Sequence, residues 1–205
     1  EQGGTWLGVT RSGRFAALTN VRNPSARPGP RSRGHLVRDF LDSDSSPADF
    51  IARLRHRASD YSPFNLLLGD GEQLHYTNHH GEWRQLQPGI YGLSNATLDT
   101  PWPKVLSGKQ QLAALMTREP QPELLFGMLA DRTEAGDDEL PDTGIDRVLE
   151  KSLSARFIHR DGYGTRCSTV LTQSHAGDIV FCEQAFDADS NTATRVDYRW
   201  SVTPA

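Results

Sequence analysis

The chain has 205 residues, of which 36% are apolar, 8% aromatic and 23% charged, and its formal charge is −4 from 22 basic and 26 acidic side chains. This composition excludes a disordered chain, no stretch reaches the ~20 apolar residues of a membrane span, and the acidic balance argues against a dedicated nucleic-acid binder. Two cysteines are too few for a disulfide framework or a four-cysteine zinc site, and 19 Arg against 3 Lys reads as the compositional bias of a GC-rich bacterial source.

Thr5 to Thr10 and Arg14 to Asn20 read as two strands around a Ser12-Gly13 turn. A two-residue turn there places Val9 opposite Ala16 and Leu7 opposite Leu18, with apolar residues on both faces, as in a layered fold. A Pro/Arg/Ser/Gly loop follows over Asn23 to Gly34, then a short helix over His35 to Leu41. A second helix starts at Pro47, with Ser46 as its cap and Asp49 at capping-box spacing. Phe50, Ile51, Leu54 and Ala58 form its apolar face.

Asn65 to Gly69 and Glu72 to Thr77 form a hairpin around Asp70-Gly71. Trp83 to Leu86 and Ile90 to Ser94 read as two further short strands. Helices follow over Pro103 to Met116, Pro122 to Ala130 and Ile145 to Leu153, with an acidic connection from Asp131 to Gly144. Strands return over Thr165 to Thr172, Asp178 to Ala185 and Thr192 to Val202. This order predicts one α+β domain over residues 1–205, with sheets covered by helices.

Residues 11–38 hold seven Arg and no acid. Guanidinium forks suit phosphates and carboxylates, so Arg22, Arg31 and Arg33 are candidate ligands for an anion. The same run also fits an exposed loop in an Arg-biased chain. Residues 131–150, with eight acids against two Arg, read as a solvated face. The seven His are scattered, and only His79 and His80 are neighbours, so no metal site is expected. The predicted hairpin puts Cys167 near Ala185 and Cys182 near Val170, an offset unfavourable for a bridge. Both thiols are therefore expected to be reduced, as in a cytoplasmic protein. Cys167 is a candidate nucleophile, with a small buried strand residue as its plainer role. Gly92-Leu93-Ser94-Asn95-Ala96 approaches a nucleophile elbow, but Ala replaces the second Gly and the next helix starts late. Asn95 is the more interesting residue: an Asn amide at a strand end can donate to a developing oxyanion, or simply close a local turn.

Several stretches together resemble one family. They are Gly4-Thr5-Trp6-Leu7-Gly8-Val9, Leu18-Thr19-Asn20-Val21-Arg22-Asn23-Pro24, Pro30-Arg31-Ser32-Arg33-Gly34, Pro63-Phe64-Asn65-Leu66-Leu67, Tyr91-Gly92-Leu93-Ser94-Asn95, Leu140-Pro141-Asp142-Thr143-Gly144 and Tyr163-Gly164-Thr165-Arg166-Cys167-Ser168-Thr169. Their order and spacing resemble the NRDE family, that of the transport and Golgi organisation proteins. Its members open on Met-Cys and an Asn-Arg-Asp-Glu motif. Neither is in this chain, so Glu1 is read as an internal position of a longer domain.

The resemblance implies a four-layer αββα sandwich like that of the N-terminal-nucleophile hydrolases. It also implies a possible amide or acyl hydrolase of small molecules, in which an N-terminal Cys attacks with its own α-amino group as base. By the same resemblance, Asn20 and Asn95 match the two Asn settings around the oxyanion and Arg166 a late strand-borne Arg, so these three are expected to share one pocket. The other function the resemblance implies is a non-enzymatic carrier or chaperone for a hydrophobic anion such as haem or an acyl thioester, with Arg31 and Arg33 at the pocket mouth. No cofactor is expected in either case; the partner is a small amide, acyl or haem-like molecule, and neither nucleic acid nor a membrane span is involved.

Overall fold

The computed structural model describes residues 3–202. The chain forms two compact units, Glu1–Thr100 and Pro101–Ala205. Both are mixed α and β, and α+β is the class that the element order predicts for the chain.

The first unit is built on a five-stranded antiparallel sheet in sequential order: β1 (Leu7–Val9), β2 (Phe15–Asn20), β3 (Phe64–Gly69), β4 (Leu74–Asn78) and β5 (Trp83–Leu86). Two helices cover one face, α1 (Gly34–Leu41) and α2 (Pro47–Arg55). Leu36, Val37 and Phe40 of α1 and Phe50, Ile51 and Leu54 of α2 close over Ala16, Leu18, Phe64, Leu66 and Leu68 of the sheet. The Phe40 and Phe50 rings meet edge to face at 5.3 Å. The start of α2 follows the expected chemistry: Pro47 opens the first turn, and the Ser46 hydroxyl accepts from the Asp49 N–H at 3.1 Å.

The β1–β2 register differs from the expected one by a residue. Leu7 pairs with Ala17, Gly8 with Ala16 and Val9 with Phe15. The turn has three residues rather than two: the Thr10 N–H donates to the Arg14 carbonyl at 2.8 Å, and Gly13 takes a left-handed φ of 84°. Because side chains alternate, this slip moves Leu7 and Val9 off the face that Ala16 and Leu18 share. The expected strand over Ile90 to Ser94 is an irregular segment. A local pair of hydrogen bonds closes it: the Gly92 N–H donates to Asp99 Oδ1 at 2.8 Å and the Asp99 N–H returns to the Gly92 carbonyl at 2.8 Å. His79 and His80 lie in the turn after β4, where their rings come to 3.7 Å of each other.

A buried imidazole, His75, and a half-buried one, His79, set an acid limit in this unit. The Trp83 indole N–H donates to His75 Nδ1 at 3.2 Å, which leaves the His75 proton on Nε2, facing Gln73 Oε1 at 2.9 Å. Protonating Nδ1 would set two donors against each other. Burial lowers the His75 pKa, and burial together with the neighbouring His80 lowers that of His79. The unfolded chain therefore binds protons more readily than the folded one. Stability should fall as pH drops through the ordinary imidazole value near ~6.5, and keep falling until the depressed folded values are passed. Urea midpoints at pH 7.5 and 5.5 check this: the acidic midpoint should be lower, and His75→Gln should narrow the gap. Equal midpoints in the unsubstituted chain would contradict it.

The second unit contains α3 (Pro103–Leu115), α4 (Pro122–Leu129), α5 (Arg147–Ser152), the two-stranded β6 (His159–Arg160) and β7 (Tyr163–Gly164), and a three-stranded antiparallel sheet of β8 (Cys167–Gln173), β9 (Asp178–Phe186) and β10 (Thr192–Ser201). Leu125 and Phe126 of α4 pack with Val170 and Cys182 of the sheet, joined by Leu112 and Leu115 of α3. The β8–β9 register is the expected one, with Cys167 opposite Ala185 and Val170 opposite Cys182, and both cysteines are free. The expected Pro-Asp-Thr-Gly segment is pinned by Glu150, 1% exposed, whose Oε2 accepts from the Thr143 hydroxyl at 2.6 Å. Among the described residues no helix is long and apolar enough to cross a membrane.

Candidate functional site

The best-defined polar site lies in the first unit, where β2 ends and the segment after β5 returns to it. The Asn95 side-chain amide donates to the Asn20 carbonyl at 3.0 Å, and the Arg22 N–H donates to the Asn95 carbonyl at 2.7 Å. Beneath this junction runs a buried network. Asn65, fully buried on β3, donates to Thr19 Oγ1 at 3.0 Å and to the Ala96 carbonyl at 2.7 Å, and the Thr19 hydroxyl donates to the Ser94 carbonyl at 2.7 Å. The Tyr76 hydroxyl donates to Asn65 Oδ1 at 2.8 Å while accepting from the Leu98 N–H at 3.2 Å and from Asn78 Nδ2 at 3.1 Å. Burial pushes the Tyr76 phenol up, so it remains a donor at neutral pH. The loop carrying Asn95 is thus held against β2, β3 and β4 by side chains rather than by strand pairing.

Two groups at this place are chemically unspent. Asn20 Oδ1 is buried, and among the described residues no donor reaches it. A buried acceptor without a donor costs about 1–3 kcal/mol, so its persistence calls for a partner. Arg33 donates from Nη1 to the Pro63 carbonyl at 3.0 Å, the carbonyl that also accepts the Val21 N–H at 3.1 Å. Burial lowers the Arg33 pKa, and among the described residues no carboxylate pairs with it. Arg31 is placed differently: its N–H donates to the Asp60 carbonyl at 3.0 Å, and its Nε stands 3.7 Å from Asp60 Oδ2.

The structure therefore brings together Asn20, Arg22, Arg33 and Asn95, and sets Arg31 a step away against Asp60. Arg166 belongs to the second unit, just before β8, where its carbonyl accepts from the Phe186 N–H at 2.9 Å. Cys167, the first in-chain candidate nucleophile, is also in the second unit. Burial and then Glu183 push its thiol up, the opposite of what a nucleophilic thiolate needs. Burial and Asp197 push Cys182 up to about 11. Asn65, Tyr76 and Asn78 were not singled out as site residues from the sequence. The usable signal was two Asn in paired strands, Asn65 opposite Asn78, in a position that normally favours β-branched or aromatic side chains.

The second unit has a cavity of about 460 Å³ between α3 and residues 131–139. Arg156 braces it, donating to Ser107 Oγ at 2.8 Å, Gln111 Oε1 at 2.9 Å and the Met128 carbonyl at 3.0 Å, and pairing with Asp131 at 2.5 Å. Hydrogen bonds from Thr133, with Arg156 beside it, hold the Asp131 carboxyl below the usual range. The guanidinium is spent on holding the walls. Among the described residues no group of three His, Cys, Asp or Glu converges as metal ligands would.

A mixed α+β chain with a polar site at a strand end can now be set beside known proteins. The Transport and Golgi organisation 2 family matches residues 1–188. The chain is 33% identical over 219 residues to the Transport and Golgi organization protein 2 homolog of Bos taurus, covering 99% of this chain and 77% of that protein. It is 33% identical over 201 residues to the homolog of Homo sapiens, covering 90% and 73%, and 26% identical over 211 residues to Transport and Golgi organization protein 2 of Drosophila melanogaster, covering 90% and 72%. The chain belongs to the Transport and Golgi organisation 2 family, the NRDE family that its motifs resemble.

Proposed function

We propose that this chain forms the small-molecule site of an N-terminal-nucleophile-hydrolase-like protein that acts on an amide or acyl bond. The observation that carries the reading is the Asn20–Asn95 junction, with its buried, donorless Asn20 Oδ1. A ligand amide N–H is the donor that this oxygen lacks, and Asn side chains at a strand end suit a substrate carbonyl. The reading includes the four-layer αββα sandwich that the resemblance implies. In support, each unit supplies a helix layer on an antiparallel sheet.

Holding the ligand without turnover is the second reading, that of a carrier for a hydrophobic anion. The raised Cys167 thiol and the uncompensated Arg33 favour it.

N-benzoylglycinamide, which offers an amide N–H and a flat ring, tests the reading. Hydrolysis adds water across the benzoyl–nitrogen bond and releases benzoate and glycinamide, both measurable by mass spectrometry. Asn95→Ala frees the Asn20 carbonyl and should weaken binding of this probe about tenfold, at a cost to folding of about 1 kcal/mol. Binding that Asn95→Ala leaves unchanged would overturn the site assignment. Release of glycinamide is read on a form that also carries the family's N-terminal Met-Cys, which these 205 residues do not contain; binding without release in that form would favour the carrier.

A further inference from the structure

The geometry points to Trp6 and Arg33 as the specificity-determining wall of this site, and to a ligand that carries a carboxylate beside its amide and a flat apolar group. The inference rests on the amide-site reading and adds to it the charge and shape of the ligand.

Among the arginines of residues 11–38, several are visibly spent. Arg14 donates to the Phe40 and Ser45 carbonyls, Arg38 pairs with Asp39 at 2.7 Å, and Arg31 stands at Asp60. Arg33 differs. Its described contacts are one hydrogen bond to a neutral carbonyl and the Trp6 ring, whose centroid is 6.0 Å from the guanidinium carbon. A partly buried cation without a counter-anion is costly, and its fork geometry matches a carboxylate in two-point contact.

Trp6 is 54% exposed, and its backbone, just before β1, is tied to β2 by the Leu18 N–H to Trp6 carbonyl bond at 2.9 Å. Its ring offers a platform next to the guanidinium. The Pro63 carbonyl links Arg33 to the Val21 N–H, one residue past Asn20. A cation, a flat apolar surface and a buried amide acceptor thus lie along the same strand end. On this inference the ligand carboxylate meets Arg33, its ring lies on Trp6, and its amide N–H pairs with Asn20 Oδ1 once the strand end opens, because that oxygen is covered in the chain alone.

Two probes that differ only in charge separate this inference from the reading beneath it: N-benzoylglycine, an anion, and N-benzoylglycinamide, its neutral isostere. Calorimetric titration of the 205-residue chain should show the anion bound about tenfold or more tighter than the neutral probe, with the preference shrinking as salt rises. Arg33→Gln should bring the anion down to the neutral probe's affinity and leave the neutral probe within about twofold, whereas Arg33→Lys should keep part of the preference. Trp6→Leu should weaken both probes. Circular dichroism melts identify any variant that fails to fold; if Arg33→Gln does, the salt dependence and the Arg33→Lys comparison decide. Equal affinity of the two probes for the unsubstituted chain, or a preference that survives Arg33→Gln, overturns this inference and leaves the amide site standing. Failure of both probes to bind at millimolar concentration overturns both.

Discussion

Gly29→Ala is expected to destabilise the chain by about 3 kcal/mol, lowering Tm by roughly 10 °C. A Cβ at Gly29 would lie 2.5 Å from both the Asp60 carbonyl oxygen and the Tyr61 Cα, and would also strike the Tyr61 carbonyl carbon. All three atoms are backbone, so no rotamer change can relieve the contact. The approach is close because residues 29–33 run alongside residues 60–63: the Gly29 N–H donates to Ser62 Oγ at 3.0 Å, the Arg31 N–H to the Asp60 carbonyl at 3.0 Å, and Arg33 to the Pro63 carbonyl at 3.0 Å. Prising these segments apart would also displace Arg33, so probe binding should weaken with stability. Gly127→Ala is the control. It lies inside α4, where a Cβ meets nothing within 4 Å, so it should be neutral or raise stability by up to about 1 kcal/mol. Urea unfolding measures both. Equal midpoints for the two variants would contradict the close-approach account.

Asn65→Leu is expected to cost about 4 kcal/mol, although it conserves size and adds apolar surface to a fully buried position. The substitution removes the donor to the Ala96 carbonyl, the donor to Thr19 Oγ1 and the acceptor of the Tyr76 hydroxyl proton. Two of these groups have other contacts, yet the Ala96 carbonyl and the Tyr76 proton would lose the partners shown. Tyr76→Phe deletes the hydroxyl from the same network and should cost less, about 2 kcal/mol, because Leu98 and Asn78 lose an acceptor while Asn65 keeps its two donor bonds. The double variant should cost less than the sum of the two, since each removes part of what the other uses. An additive double variant would mean that the network does not act as a unit. Chemical denaturation of the four proteins at pH 7.5 gives the comparison.

Elements set by local chemistry were legible in the sequence. The α2 start follows from Ser46, Pro47 and Asp49 in consecutive roles, and the β8–β9 register follows from a hairpin centred near Ala176, beside Gly177, whose φ is 87° in the structure. The β1–β2 register was not legible, because Ser12-Gly13 reads as a two-residue turn while the Thr10 side chain supports a three-residue one. Thr10 Oγ1 accepts from the Arg14 N–H at 3.1 Å and meets Ser12 Oγ at 2.8 Å. Ile90 to Ser94 reads as a short strand, yet Asp99 closes it into a loop, with a positive φ of 60° at Asp99 itself. In the site, Asn20 and Asn95 stood out by residue type and motif. Asn65 and Tyr76 did not, because a polar residue in a strand shows its role only once its cross-strand neighbours are known. Arg33 was singled out with Arg22 and Arg31 among seven arginines; what sets it apart from Arg31 is the lack of a carboxylate partner among the described residues, which depends on the fold.

The central claim is that the end of β2, between Asn20 and Asn95, is a ligand site. Its most direct test is a titration of the isotope-labelled chain with N-benzoylglycine, followed by backbone and side-chain amide NMR shifts. The account predicts shifts concentrated at the Asn20 and Asn95 amides, the Arg22 and Arg33 N–H groups and the Trp6 indole, all saturating with one dissociation constant. Shifts centred on the Arg156 cavity of the second unit, or no saturable shift at the β2 end, would contradict it.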